Sequence, residues 1–307
     1  MIDRERIKQQ LNNCLTETHF ERLGKKYNGK VRDTYDAGDR LILITTDRQS
    51  AFDRILAAIP FKGQVLNQVS LFWFDQTKDI VPNHVLASPD PNVLIAKKCT
   101  VFPIEFVVRG YLSGVTVTAA WTAYNKGERE FCGNHLPDGM KKNQAFAEPI
   151  ITPTTKSDTH DEKISAAEVV QKGLMTQTQW DTCAKYTLAL FKRGQEIAQQ
   201  HGLILVDTKY EFGQLPDGTI IVVDEIHTPD SSRYWIAKSY AEKFSRNEEP
   251  ENIDKEFLRL WFRNHCDPYK DKEIPAAPAE LVVELAARYI QLYEMITGRE
   301  FVYPTTG

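Results

Sequence analysis

The chain has 307 residues, with 38 lysines and arginines against 42 aspartates and glutamates, a net charge of −4. That balance leaves no basic footprint for nucleic acid or an anionic membrane, and no apolar run is long enough to span a bilayer. The length exceeds what one growing core fills, so two domains are expected.

The charged start MIDRERIKQQLNN lacks the apolar core of a signal peptide. Five scattered cysteines, Cys14, Cys99, Cys132, Cys183 and Cys266, form no C-x-x-C pair. They read as free thiols in a reducing compartment, by default the cytoplasm. A short helix over 3–13 comes first. Val31 and Tyr35, the Ala37-Gly38-Asp39 turn and the run Leu41 to Ile44 predict a hairpin. Lys30 and Arg32 share a face of its first strand. They are basic residues on a wet strand or phosphate contacts, but Gly29-Lys30 lacks the glycine spacing of a Walker A loop. The polar run Thr45 to Ser50 follows an apolar strand, a place for an ordinary turn or for a ligand. Helical spacing marks 66–79.

Another apolar strand, Ile104 to Val108, runs into Arg109-Gly110-Tyr111-Leu112-Ser113-Gly114. Arg109 there suits a phosphate or carboxylate, or a structural salt bridge. Residues 128–162 show little periodicity, and so long an irregular segment is usually functional or mobile. His160-Asp161 belongs to no H-E-x-x-H pattern. Two capping boxes, Ser165-x-x-Glu168 and Thr176-x-x-Gln179, start helices, the second running to about Gln200. Helices are also expected over 254–263 and 278–297. The domain boundary is placed near Phe102-Pro103, giving units 1–102 and 103–307.

The stretch from Leu203 to Trp235 reads as a hairpin and a polar loop. A two-residue loop at Asp217-Gly218 would set Glu211 directly opposite Asp224. Facing Cβ atoms lie roughly 4.5–5.5 Å apart, and like charges so placed repel. Either Lys209 screens a solvated face, or a divalent cation such as Mg²⁺ sits between the acids. The continuous apolar arm Ile220 to Val223 argues for burial and so for the cation. With repulsion alone, Glu211→Gln would leave the metal-free protein no less stable.

Taken together, GKVRDTYD, TTDRQSAFD, VVRGYLSG, EPIITPTTK with HDEKIS, GLILVDTKYEFG and DEIHTPDSSRYW resemble the phosphoribosylaminoimidazole-succinocarboxamide synthase (SAICAR synthetase) family. The length and charged C-terminal extension resemble its longer, fungal-type members. The resemblance implies an α+β fold, an antiparallel N-terminal sheet over a larger α/β domain with ATP between them. It implies an enzyme that uses ATP and Mg²⁺ to join L-aspartate to the carboxylate of the ribotide CAIR. By motif position, Lys30 and Arg32 would face the ATP phosphates, and Glu211 and Asp224 would hold Mg²⁺. Asp47, Arg48, Ser50 and Asp53 would border CAIR, and Arg109 and Arg233 would bind its 5′-phosphate. Asp207 and Lys209 would contact the reacting carboxylate, and Lys156 the aspartate. Val115 stands where many relatives carry a serine, so a hydroxyl contact to the ribotide phosphate would be missing or would pass to Ser113 or Thr116. The rival reading is an ATP-dependent small-molecule kinase that does not use aspartate.

Overall fold

The computed structural model describes residues 2–52, 54–116, 118–156, 162–253 and 255–304. Helix α1 (Arg4–Gln9) starts at Asp3, whose carboxylate accepts from the Arg6 amide. Strands β1 (Lys25–Asn28), β2 (Arg32–Asp36) and β3 (Arg40–Thr45) form a meander. The β2–β3 turn lies where the Ala37-Gly38-Asp39 signal predicts it. In β2 the faces alternate: Asp33 and Tyr35 are buried, and Arg32 and Thr34 point to the other side. A separate hairpin, β4 (Arg48–Ala51) with β5 (Arg54–Ala58), leads to α2 (Lys62–Gln76). Strands β6 (Val85–Asp90) and β7 (Val93–Lys97) complete an antiparallel sheet ordered β1-β2-β3-β7-β6.

The chain changes sheet between Lys97 and Thr100. Strand β8 (Thr100–Tyr111) enters a second, larger antiparallel sheet. The described residues of the 128–162 segment hold more regular structure than their composition suggests. After α3 (Ala120–Asn125), it holds the two-residue strands β9 (Glu130–Phe131) and β10 (Asn134–His135), then β11 (Ala145–Ile151) and β12 (Thr154–Thr155) on β8. The two-residue strands β9, β10 and β12 carry no readable period. His160 and Asp161 lie outside the described residues. Both expected capping boxes form, opening α4 (Ala166–Gln171) and α5 (Gln177–Gln200). Helix α5 packs on β8 and on β13 (Leu203–Gln214), the central strand. Strand β13 pairs with β8, with β14 (Ile220–Val223) and with β15 (Ser232–Ile236).

The charged C-terminal stretch folds into α6 (Ala237–Ser245), α7 (Glu256–His265) and α8 (Ala279–Thr297). Helix α8 packs against α1 and α2, so the end of the chain braces its beginning. The largest buried cluster accordingly joins Val65 and Trp73 of α2, Phe106 of β8, Tyr210 and Phe212 of β13 and Ile290 of α8. Trp73 is fully buried there, and truncating such an aromatic to alanine costs about 3–5 kcal/mol.

The β13–β14 hairpin differs from the expected register by one residue: Glu211 faces Val223, not Asp224. The cause is a three-residue loop. The Leu215 amide donates to the Thr219 carbonyl at 2.9 Å, and the Gly218 amide to the Leu215 carbonyl at 2.9 Å. Gly218, at φ +89°, supplies the left-handed residue that follows a tight turn in loops of this length. A slip of one residue should put Asp224 on the opposite face. It does not, because β14 ends at Val223 and Asp224 itself turns at φ +64°.

Candidate active site

A cavity of about 640 Å³ opens between the two sheets, a volume suited to small-molecule substrates. Its walls come from the β1–β2 turn and the start of β2, the end of β4, β8 and β13, the loop after β14, β15 and the start of α7. Of the residues singled out from sequence, Lys30, Arg32, Ser50, Lys156, Asp207, Lys209, Glu211, Asp224 and Arg233 all line it. Lys30 sits in the β1–β2 turn, not on the strand.

One end is a lattice of acids and bases. Lys209 Nζ lies 2.9 Å from Glu105 Oε1, 2.8 Å from Glu211 Oε1 and 3.6 Å from Asp224 Oδ2. Lys156 closes on the other oxygen of Glu211. Arg32 forks across two neighbouring acids, pairing with Asp224 and reaching Glu225 Oε2 at 2.7 Å. The facing acid pair is therefore Glu211 with Glu105, which are opposite each other on β13 and β8, and Lys209 offsets their repulsion. Burial alone would raise the Asp224 carboxyl. Arg32, then Lys209 and Lys156, outweigh burial and hold it well below the usual carboxylate range. For Lys209, burial would lower the ammonium, but Glu211, Glu105 and Asp224 raise it well above its ordinary value.

The other end is built around Asp207. Its carboxylate pairs with Arg233, accepts from Ser113 Oγ at 3.3 Å and lies 3.8 Å from Arg109 Nη1. Arg109 and Ser113 are not brought into the cavity lining. Arg109 is buried behind Asp207, donating to Thr152 Oγ1 at 2.9 Å and to the Thr118 carbonyl at 3.3 Å. Ser113 is buried with it and supplies the only hydroxyl of VVRGYLSG that reaches Arg233, at 3.4 Å.

The polar run before β4 divides. Asp47 is not at the cavity: it is buried, accepting from the Leu15 amide at 2.8 Å and the Gly63 amide at 2.9 Å. Arg48 is also diverted, binding Asp33 Oδ1 at 2.9 Å and the Gly29 carbonyl at 2.9 Å. It props the β1–β2 turn from beneath. Both side chains satisfy buried backbone and charge, which a polar sequence run cannot distinguish from ligand binding. Asp53 lies outside the described residues.

Several lining residues were missed from sequence: Glu105, Glu225, Asp230, Ser231, Lys255 and Arg259. Glu105 interrupts the apolar strand β8, a signal that could have been used. Asp230 lies in the quoted motif DEIHTPDSSRYW. It binds Lys62 Nζ at 2.8 Å and accepts from Tyr289 Oη at 2.6 Å, tying the loop to α2 and α8. Lys255 and Arg259 fall in the 254–263 stretch, which the sequence marks only as a helix.

Comparisons with known proteins agree on one family. Residues 25–275 match the family described as SAICAR synthetase. A phosphoribosylaminoimidazole-succinocarboxamide synthase of Legionella pneumophila (strain Paris) is 67% identical over 290 residues, covering 94% of this chain and 93% of its own. A chloroplastic one from Arabidopsis thaliana is 61% identical, covering 97% of this chain and 74% of its own. The solved SAICAR-synthase of Saccharomyces cerevisiae, complexed with SAICAR, superposes with a TM-score of 0.81 at 32% identity over 94% of this chain and all of that one. The chain thus belongs to the SAICAR synthetase family, ATP-dependent ligases that join L-aspartate to the carboxylate of CAIR in purine biosynthesis.

Proposed function

We propose that the cavity performs this ligation in two displacements. A CAIR carboxylate oxygen attacks the γ-phosphorus of ATP and ADP leaves. The neutral aspartate amine then attacks the acyl carbon, and phosphate departs with that carboxylate oxygen while the nitrogen gives up one proton and keeps the other as the amide N–H. A carboxylate is a poor electrophile, and phosphorylation gives it a leaving group. Such transfer asks a protein for positioning and charge neutralisation, and the wall of acids and bases supports that reading.

Lys30, in the β1–β2 turn, and Arg32, at the start of β2, would cover the ATP phosphates. Lys209 would meet the reacting carboxylate. Arg233, backed by Asp207, Ser113 and Arg109, would take the ribotide phosphate, with Ser50 on the opposite wall. In this reading the sheet of residues 25–97 covers nucleotide and the larger sheet carries CAIR.

Mg²⁺ fits the acid end. Three carboxylates converge on one ammonium, so a cation position is already defined by oxygen donors. Among the described residues no three acids, histidines or cysteines are grouped so as to hold a metal ion by themselves. An ion there would take one or two carboxylates and draw the rest of its shell from phosphate and water. Glu211 and Asp224 would hold it. Bound there, Mg²⁺ would neutralise charge on the transferring phosphoryl group. The five free thiols support a reducing, cytoplasmic setting.

The observation that carries this reading is the Lys209 ammonium held among Glu105, Glu211 and Asp224. The test is ADP formation by purified protein with ATP and CAIR, with and without L-aspartate. Turnover that requires aspartate is expected. Sustained ADP release without it would favour a small-molecule kinase.

A further inference from the structure

We propose that Lys255 and Arg259 form the subsite that binds the carboxylates of L-aspartate. The proposal rests on the ligase reading above and deepens it. Lys255 directly precedes α7 and Arg259 lies four residues on, so both side chains leave one face of the helix. Both line the cavity.

Their charge is under-compensated. Arg32, Lys156, Lys209 and Arg233 each have a close carboxylate partner. Among the described residues, the acid within ion-pair distance of Lys255 is Asp230, at 3.7 Å. That carboxylate is already bound by Lys62 at 2.8 Å and Tyr289 at 2.6 Å. Arg259 reaches Glu256 Oε2 at 3.3 Å through one nitrogen, while its buried Nε has no hydrogen-bond partner among the described residues. Two adjacent, largely buried cations with donors to spare favour an arriving anion.

The reaction has three anionic substrates. The β1–β2 turn and the acid end suit ATP, and Arg233 suits the ribotide phosphate. L-aspartate, a small dicarboxylate, is the substrate left for a lysine and an arginine side by side.

The pair also has a pH signature. Around Lys255 stand Asp230 and Glu225 from the loop, Lys62 from α2 and Arg259 from its own helix. Burial, aided by Arg259 and Lys62 and opposed by Asp230 and Glu225, pulls Lys255 down to about 8. Binding a carboxylate needs the ammonium. The KM for L-aspartate should therefore climb as pH passes about 8. Lys255→Arg, which keeps its charge, should flatten that climb relative to wild type. Titration of the substrate amine is common to both proteins and cancels in their ratio.

Steady-state kinetics of the full chain, with each substrate varied in turn, tests the proposal. Lys255→Met and Arg259→Met should each raise the KM for L-aspartate about ten- to hundredfold, the size of a lost charge-assisted contact. The KM values for ATP and CAIR should stay nearly unchanged. Lys255→Arg should restore the aspartate KM at neutral pH. A rise in the CAIR KM instead would give the pair to the ribotide phosphate and overturn the proposal. A uniform loss of all three affinities would make the pair structural and also overturn it. If the methionine variants fail to fold, the Lys255→Arg profile decides, and a climb identical to wild type overturns the subsite. If wild type shows no aspartate-dependent ADP release, the ligase reading itself fails. Calorimetric binding of L-aspartate to wild type, absent in Lys255→Met, would still support the subsite, and equal binding by both would overturn it.

Discussion

Glu211 shows how far one residue's partners change its meaning. Facing acids suggest repulsion, so neutralising one should cost no stability. In the folded chain Glu211 is buried between Lys156 and Lys209. Glu211→Gln removes a carboxylate that two ammonium groups share, and a destabilisation of about 1–3 kcal/mol is expected. Side-by-side melting of metal-free wild type and variant measures it, and an unchanged or higher Tm would restore the repulsion reading. The same variant should lower kcat about a hundredfold or more, as loss of charge stabilisation in a transition state does. Arg233 and Arg109 separate for a similar reason. Arg233 lines the cavity, so Arg233→Ala should raise the CAIR KM about ten- to hundredfold with the ATP KM nearly unchanged. Arg109 is buried behind it, and its truncation should show first as a lower Tm. An unchanged CAIR KM in Arg233→Ala would remove that residue from phosphate binding.

Among the elements, the β13–β14 hairpin and its following loop set the site. Gly218 occupies φ +89°, and a would-be Cβ would meet Gln214 Nε2 at 4.0 Å, an ordinary contact. Gly218→Ala should therefore cost about 1 kcal/mol through backbone conformation alone, with kcat unchanged. A silent substitution would mean the loop relaxes to another turn. The loop beyond β14 is pinned by His227, which is bonded to Tyr210 Oη, and whose carbonyl accepts from Tyr234 Oη at 2.8 Å. Burial pulls His227 down to about 3, and His84 likewise to about 4. Unfolded histidine titrates near 6.5, so between these values the unfolded chain binds more protons than the native one. Stability should be full above about pH 6.5 and fall by roughly 1.4 kcal/mol per pH unit per histidine below it. Melting from pH 7.5 down to 5 checks this, and His227→Gln should reduce the slope. A flat profile would contradict neutral burial. Such elements were legible to different degrees. The capping boxes of α4 and α5 and the β2–β3 turn use contacts three or four residues apart, and all three form where their residues predict. The β13–β14 loop is local too, but Pro216-Asp217-Gly218 suits two loop lengths, and the choice moved the register. The pairing of Glu211 with Glu105 joins positions over a hundred residues apart, and no local pattern reports it.

For the whole molecule, two sheets lie either side of a charged cavity and the chain's last helix braces its first. No apolar period foretells that α8 would pack on α1 and α2, because amphipathic helices do not name their partners. The two-sheet plan came from six motifs taken together. The cavity drew nine of the fourteen anticipated site residues into its wall, and Asp47, Arg48, Arg109 and Ser113 into support behind it. Residues that hold ligands and residues that hold ligand-binding residues share one composition, so only packing separates them. The proposed route places phosphoryl transfer to the CAIR carboxylate before the amine attacks. The direct test uses CAIR labelled with heavy oxygen in that carboxylate, with ATP and L-aspartate, and mass analysis of the released phosphate. One labelled oxygen in each phosphate, formed in step with SAICAR, is the expected result. Phosphate free of label, alongside full SAICAR formation, would contradict an acyl-phosphate route through this site.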